Sequence, residues 1–279
     1  MTRQHRFAQV DVFSAEPYLG NPVAVVLDAE GIDDESMQRI ARWTNLSETT
    51  FVLPPTTPEA DYLLRIFTPG GELPFAGHPT LGSAHAWLEQ GGEPRSADRI
   101  VQECEAGLID VRRGDVLAFA APPMHRTGEL EPEHLARIVE ALGIAPERVV
   151  AHQWVDNGPG WCVVRLETAQ EVLDLEPDLS RIPDAMVGAV GAYPPGSEHA
   201  FELRSFAPAI GVAEDPVCGS QNASVAQWLT STGAAERAYS VSQGQRLGRA
   251  GSISIEADAD GTVWVGGATV TLFAGTAIV

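Results

Sequence analysis

The sequence predicts an α+β fold in two similar halves. Two observations carry that expectation. Strand-like segments far outnumber helical ones, and a motif at residues 67–88 is echoed at 206–229. The first half opens with "RFAQVDVF" (6–13), in which apolar and polar residues alternate as in a half-buried strand, and continues with the β-branched run 22–28. Residues 33–45 follow as a helix that begins in acidic residues, suited to a positive helix start. Strands are expected at 49–55 and 62–69, then a helix at 79–90 that Pro79 can open. Strands at 107–114 and 116–123 complete the half, and a Pro- and Gly-containing stretch near 121–131 separates it from the next. The second half begins with a helix at 131–142. It adds strands at 160–167 and 200–208, a helix at 222–232, and strands at 251–258 and 262–279.

The echo is specific in its order. Each stretch begins Phe-x-Pro (Phe67 and Pro69; Phe206 and Pro208) and reaches a small residue followed by glycine (Ala76-Gly77; Cys218-Gly219). Each then enters a short helix ending Trp-Leu (Trp87-Leu88; Trp228-Leu229). An internal duplication of this kind predicts a pseudo-twofold cleft with one helix start from each half. Helix starts carry unpaired N–H groups and partial positive charge, which suits them to an anion such as a carboxylate.

Composition excludes several classes of chemistry. The 279 residues carry a formal net charge of −20, which opposes binding to nucleic acid. All 18 basic residues are arginine, so neither a pyridoxal Schiff base nor a P-loop lysine is available. Three scattered cysteines and no close histidine cluster predict neither a disulfide framework nor a metal site. No apolar run has the ~20 residues of a membrane span, and the N-terminal residues lack a signal-peptide pattern, so a cytoplasmic protein is expected.

Three residues stand out as chemical candidates. His78 sits at the first predicted helix start, where the positive helix end favours a neutral ring; a purely structural histidine fits the same position. Asp215 precedes Pro216 before the second glycine turn, with Glu214 beside it as an alternative and a simple turn aspartate as the plainer reading. Glu48, in "NLSETTFV", lies where a helix gives way to a strand among apolar neighbours. Desolvation there would raise its pKa toward the range useful for proton transfer, although a capping box would also explain "SETT". Gly77 and Gly219 would let a ligand approach the backbone closely.

The motifs "QVDVF", "GNPVAVV", "NLSETTFV", "FAGHPTLGSAHAWL", "EDPVCGS", "QGQRLGRAGSI" and "VGGATVTLFAG", in this order across nearly the whole chain, resemble the phenazine-biosynthesis-type isomerase family. The resemblance implies the diaminopimelate-epimerase fold, in which each lobe is a barrel-like sheet around a central helix. The N-terminal lobe would be 1–123, completed by the last strand at about 268–279, and the C-terminal lobe 124–267, with the active-site cleft between them. By the same resemblance Glu48 is the acid/base that shuttles a proton, with His78 and Asp215 as its polar partners. Gly77, Gly219 and Ser220 would bind the substrate carboxylate, and Asn21 and Ser47 would line the cleft. The family carries threonine where Cys218 stands and alanine where Gln221 stands. The resemblance further implies a homodimer.

The implied reaction needs no cofactor. A base removes a proton from carbon beside a carboxylate or conjugated system and returns it elsewhere; in the phenazine case a dihydro-hydroxyanthranilate emerges with a shifted double bond. Two alternatives remain open on the sequence. Cys218 could serve an amino-acid epimerase or racemase, although the matching position in the other half is Ala76 and not a second cysteine. The cleft could also be a non-catalytic carboxylate-binding site.

Overall fold

The computed structural model describes residues 3–279. The chain forms two compact units. One holds the residues up to Ala120 together with Gly266–Val279, and the other is Ala121–Val265.

The first unit contains β1 (Gln4–Val12), β2 (Asn21–Val26), α1 (Asp34–Thr44), β3 (Thr49–Leu53), β4 (Tyr62–Phe67), β5 (Glu72–Leu73), α2 (Gly77–Glu89), β6 (Arg99–Cys104), β7 (Gly107–Arg113) and β8 (Leu117–Ala120). The second contains α3 (Pro132–Leu142), β9 (Ala151–Trp154), β10 (Trp161–Thr168), α4 (Ala169–Leu173), β11 (Met186–Ala192), β12 (Phe201–Ala207), β13 (Val212–Asp215), α5 (Gly219–Ser231), β14 (Ala238–Gln243), β15 (Gly251–Ala257) and β16 (Val263–Gly267), at whose end the chain returns to the first unit. The last strand, β17 (Thr269–Ile278), pairs antiparallel with β1.

The pairing rules repeat from one unit to the other. In the first, β1 is antiparallel to β2 and β2 parallel to β3. Next, β3–β4 and β4–β5 are antiparallel, β4–β6 is parallel and β6–β7 antiparallel. In the second, β9–β10 is antiparallel and β10–β11 parallel. Then β11–β12 and β12–β13 are antiparallel, β12–β14 is parallel and β14–β15 antiparallel. Each parallel first pair is bridged by a helix, α1 or α4, and α2 and α5 occupy the same place in the two sequences of elements. The α+β reading and the duplication are therefore correct at the level of topology.

α2 and α5 are both 13 residues long, and nine residues of each are buried. A helix enclosed on most sides needs small residues more than an apolar stripe. At Gly82 a Cβ would lie 2.4 Å from Val23 Cγ1, so only glycine lets α2 reach β2. α1 and α3 are ordinary surface helices, and they pack one face on clusters such as Met37, Ala41, Phe51 and Phe67, or Ile138, Leu142 and Val164.

Several elements escaped the sequence pattern. β11 reads MVGAVGA; with glycine or alanine at four of its seven places it has only two β-branched residues, yet it is buried along its length except at the last residue. β5, β6, β9, β13, β14 and α4 were also not expected, being short or half polar. α2 and α5 each begin before the expected start, two and three residues earlier (79→77, 222→219), because the glycine itself adopts helical geometry. The expected strand 262–279 is two strands, interrupted at Ala268, whose carbonyl accepts from Phe13 N–H.

Candidate active site

In the first unit α1 ends on Asn45 in the left-handed conformation (φ 55°, ψ 26°), which halts the helix and turns the chain toward β3. Thr44 Oγ1 and Thr49 Oγ1, 2.7 Å apart, tie the two ends of this turn together. Glu48 is the last residue before β3 and is only 7% exposed. No helix begins at "SETT", so the capping-box reading of this stretch is ruled out. Ser47 beside it is half-buried.

His78 meets Glu48 there. Its Nε2 lies 3.4 Å from Glu48 Oε2. Asn21, the first residue of β2 and fully buried, places Nδ2 3.3 Å from His78 Nδ1. Burial drives the His78 pKa down to about 3, partly offset by a hydrogen bond to the Pro22 carbonyl, so the ring is neutral at physiological pH. The structure thus joins Glu48, His78 and Asn21 in one buried cluster, with Gly77 as the opening residue of the helix that carries His78.

The second unit assembles Asp215, Gly219 and Ser220 on the turn from β13 into α5. Arg204 engages Glu214. Its Nε and Nη2 donate to the two Glu214 oxygens at 2.9 and 2.8 Å, in a pair whose side chains are 5% and 11% exposed. Two further bonds from Nη1, to the carbonyls of Val172 and Leu175, fix the guanidinium. Glu214 is therefore committed to a structural ion pair. Asp215 Oδ1 accepts from Val217 N–H at 3.2 Å, as a turn aspartate does.

Neither α2 nor α5 has a side-chain N-cap or an acidic residue in its first turn. By contrast, α1 is capped by Asp33 and followed by Asp34 and Glu35, and α4 has a full capping box from Thr168 and Glu171. The two central helices thus leave their positive ends uncompensated by their own residues, which is what an anion site requires. Their N-cap residues are Ala76 and Cys218, so the structure puts these two at equivalent positions.

Two residues around Ser220 gave no sequence signal. Trp161 Nε1 donates to Ser220 Oγ at 3.1 Å, and Asn157 Nδ2 donates to the Ser220 carbonyl at 2.8 Å. Trp161 opens β10 as Asn21 opens β2, and each reaches the second residue of its unit's central helix. The topological equivalence could have found Trp161; the residue types alone could not. Gln221 turns away from this cluster. It is fully buried, donates to the Cys162 carbonyl at 3.3 Å, and fills the space over Gly188, where a Cβ would lie 2.3 Å from its Nε2.

Residues 10–275 match the family described as phenazine biosynthesis-like protein (PhzC-PhzF). The chain belongs to that family. It is 38% identical over 223 residues to trans-2,3-dihydro-3-hydroxyanthranilate isomerase of Pseudomonas aeruginosa, covering 77% of this chain and 76% of the relative. It is also 37% identical over 294 residues, 99% of both chains, to a Schizosaccharomyces pombe protein named antisense-enhancing sequence 1. Among solved structures it resembles a PhzF-family protein of Enterococcus faecalis (TM-score 0.80, 25% identity, 99% of both chains). At the level of fold alone it is like a hydroxyproline epimerase of Agrobacterium vitis (TM-score 0.63, 13% identity, 99% and 93% covered). The fold is thus shared with the epimerases, and the family is one of isomerases.

Proposed function

We propose that this isomerase moves a proton on a small carboxylate substrate, with Glu48 as acid and base in turn and no cofactor. The observation that carries the proposal is the buried contact between Glu48 and a neutral His78. The Glu48 carboxylate would take a proton from a carbon conjugated to the substrate carboxylate. The electron pair left behind spreads through the conjugated system. The same group, now a carboxylic acid, returns the proton to another carbon, so the double bond shifts and nothing is consumed. A neutral His78 would donate a hydrogen bond without introducing a charge that competes for the proton.

The N–H groups at Gly77, Gly219 and Ser220 are assigned to the substrate's negative charge, Asp215 to a polar contact near the reacting atoms, and Asn21 and Ser47 to its surroundings. The absence of lysine supports a mechanism without pyridoxal. Net charge −20 supports a small ligand over nucleic acid, and the family reading extends to a homodimer, for which light scattering would return twice the chain mass. No helix among the described residues is long and apolar enough to cross a membrane.

The test uses trans-2,3-dihydro-3-hydroxyanthranilate, the compound named for the Pseudomonas relative, alongside a panel of small aromatic and amino-acid carboxylates. Glu48→Gln should lose on the order of 10³-fold in turnover on whichever substrate the wild type accepts. Full activity in that variant would remove Glu48 from the mechanism.

A second reading has one observation in its favour. Cys218 stands at the N-cap of α5, 3.5 Å from Ser220 Oγ, where a thiolate could act as one base of an epimerase. The equivalent N-cap is Ala76, and Cys104 and Cys162 are buried elsewhere in the sheets. Turnover abolished in Cys218→Ser and retained in Glu48→Gln would favour this reading over the first.

A further inference from the structure

The turn from β13 into α5 is held by one side chain from another strand. Gln243 is the last residue of β14 and is fully buried. Its Oε1 accepts from Cys218 N–H at 3.1 Å and from Asn222 Nδ2 at 2.8 Å. Its Nε2 donates to the Asp215 carbonyl at 3.1 Å and to Ser205 Oγ at 3.0 Å. Two donors and two acceptor sites are the whole capacity of an amide, and all four are used. Two of the bonds reach backbone groups on either side of Pro216-Val217, at Asp215 and at the N-cap Cys218. A third reaches Asn222, which itself bonds the Cys218 carbonyl at 2.8 Å.

The direction of this brace matters. Ser205 lies on β12, so Nε2 ties the turn to the sheet at one end while Oε1 fixes the helix start at the other. The amide therefore sets both where Asp215 sits and how the first N–H groups of α5 are presented. A hydrocarbon of the same size would fill the volume and leave both ends of the turn to find other partners.

We infer that Gln243 is a positioning residue that aligns Asp215 with the Gly219–Ser220 helix start. The inference rests on the roles proposed above for those residues. It predicts that Gln243→Met lowers kcat/KM tenfold or more, with KM rising because the anion-binding N–H groups are displaced. Ser205→Ala removes a bond at the same amide without touching the turn, and should lower the melting temperature while leaving KM and kcat within twofold. If both variants lose activity only in proportion to lost stability, Gln243 is merely structural and the inference fails.

Gln243→Glu is the second variant, in case the methionine form does not fold. It keeps the acceptor toward Cys218 and replaces the donor toward Asp215 by a carboxylate oxygen. Its KM should fall back toward the wild-type value as the pH drops and the introduced carboxyl becomes a donor again; a KM ratio to wild type that stays at one across the pH range overturns the inference. Failure of the functional reading shows separately, as an Asp215→Asn variant with wild-type turnover. In that event carboxylate affinity, measured by thermal shift with 3-hydroxyanthranilate as the probe, still reports on Gln243 through Gly219 and Ser220.

Discussion

The starts of α2 and α5 are built on one plan and equipped differently. Both open 13-residue buried helices, both lack a side-chain cap, and both are reached at their second residue by the first residue of a β-strand, Asn21 to His78 and Trp161 to Ser220. The first is paired with a buried carboxylate, because the residue before β3 is Glu48. The residue before β11, its topological counterpart, is Ala185, and the nearby Asp184 is an exposed partner of Arg137. The second start has instead a hydroxyl, a thiol and a dense amide brace. Duplication kept the positive helix ends and left the buried carboxylate in one unit only, and on the proposed reading that makes a single carboxylate, rather than a pair of matched bases, the economical mechanism.

The comparison can be broken at graded depths. Removing the charge of Asp215 with Asn should lower turnover by about 100-fold, at the lower end of general acid–base contributions. An unchanged kcat in steady-state kinetics would reduce Asp215 to the turn residue its bond to Val217 already makes it. His78 gives a stability signature. Its folded pKa of about 3 lies below its ordinary value, so the unfolded chain binds one more proton between about pH 6.5 and 3. This contribution is present above pH 6.5 and is lost as pH falls through that window, at up to about 1.4 kcal/mol per pH unit. Urea melts across pH 4–7 should show a shallower slope for His78→Gln than for wild type; identical slopes would place the titration elsewhere.

Smaller effects test the second start. Cys218→Ser should change kcat/KM by no more than about threefold, since serine preserves a small polar N-cap. A loss above about 100-fold would assign the thiol a chemical role. Gln221→Ala, which restores the residue the resemblance gives at that place, should leave the kinetics unchanged and lower the melting temperature by opening a void over Gly188.

Topology and the identity of the central helices were readable in the sequence because the echo lies in residues that the backbone itself demands: a glycine at each helix start and a Trp-Leu at each end. The burial of Glu48 was foreseeable from its position between an ending helix and a strand with apolar neighbours, while its role came only from the resemblance. Trp161 and Asn157 were not readable, since a buried amide or indole acts through partners far along the chain (Trp161 to Ser220 at 59, Asn157 to Ser220 at 63), and no local pattern records them; Gln243 opens the motif "QGQRLGRAGSI", which does not reveal its partners, such as Asn222 at 21. Glu214 and Asp215 were inseparable for the same reason; the partner of Glu214, Arg204, lies ten residues before it.

The central claim is that Glu48 carries the proton. Incubating substrate and enzyme in deuterium oxide and reading the label by mass spectrometry tests it most directly. Wild type should convert the substrate and place up to one deuterium on the product, to the extent that the protonated Glu48 exchanges with solvent before it returns its proton, whereas Glu48→Gln, shown to be folded and to bind the substrate, should convert none and place no label above background. Label incorporated at the wild-type rate by Glu48→Gln would contradict the account.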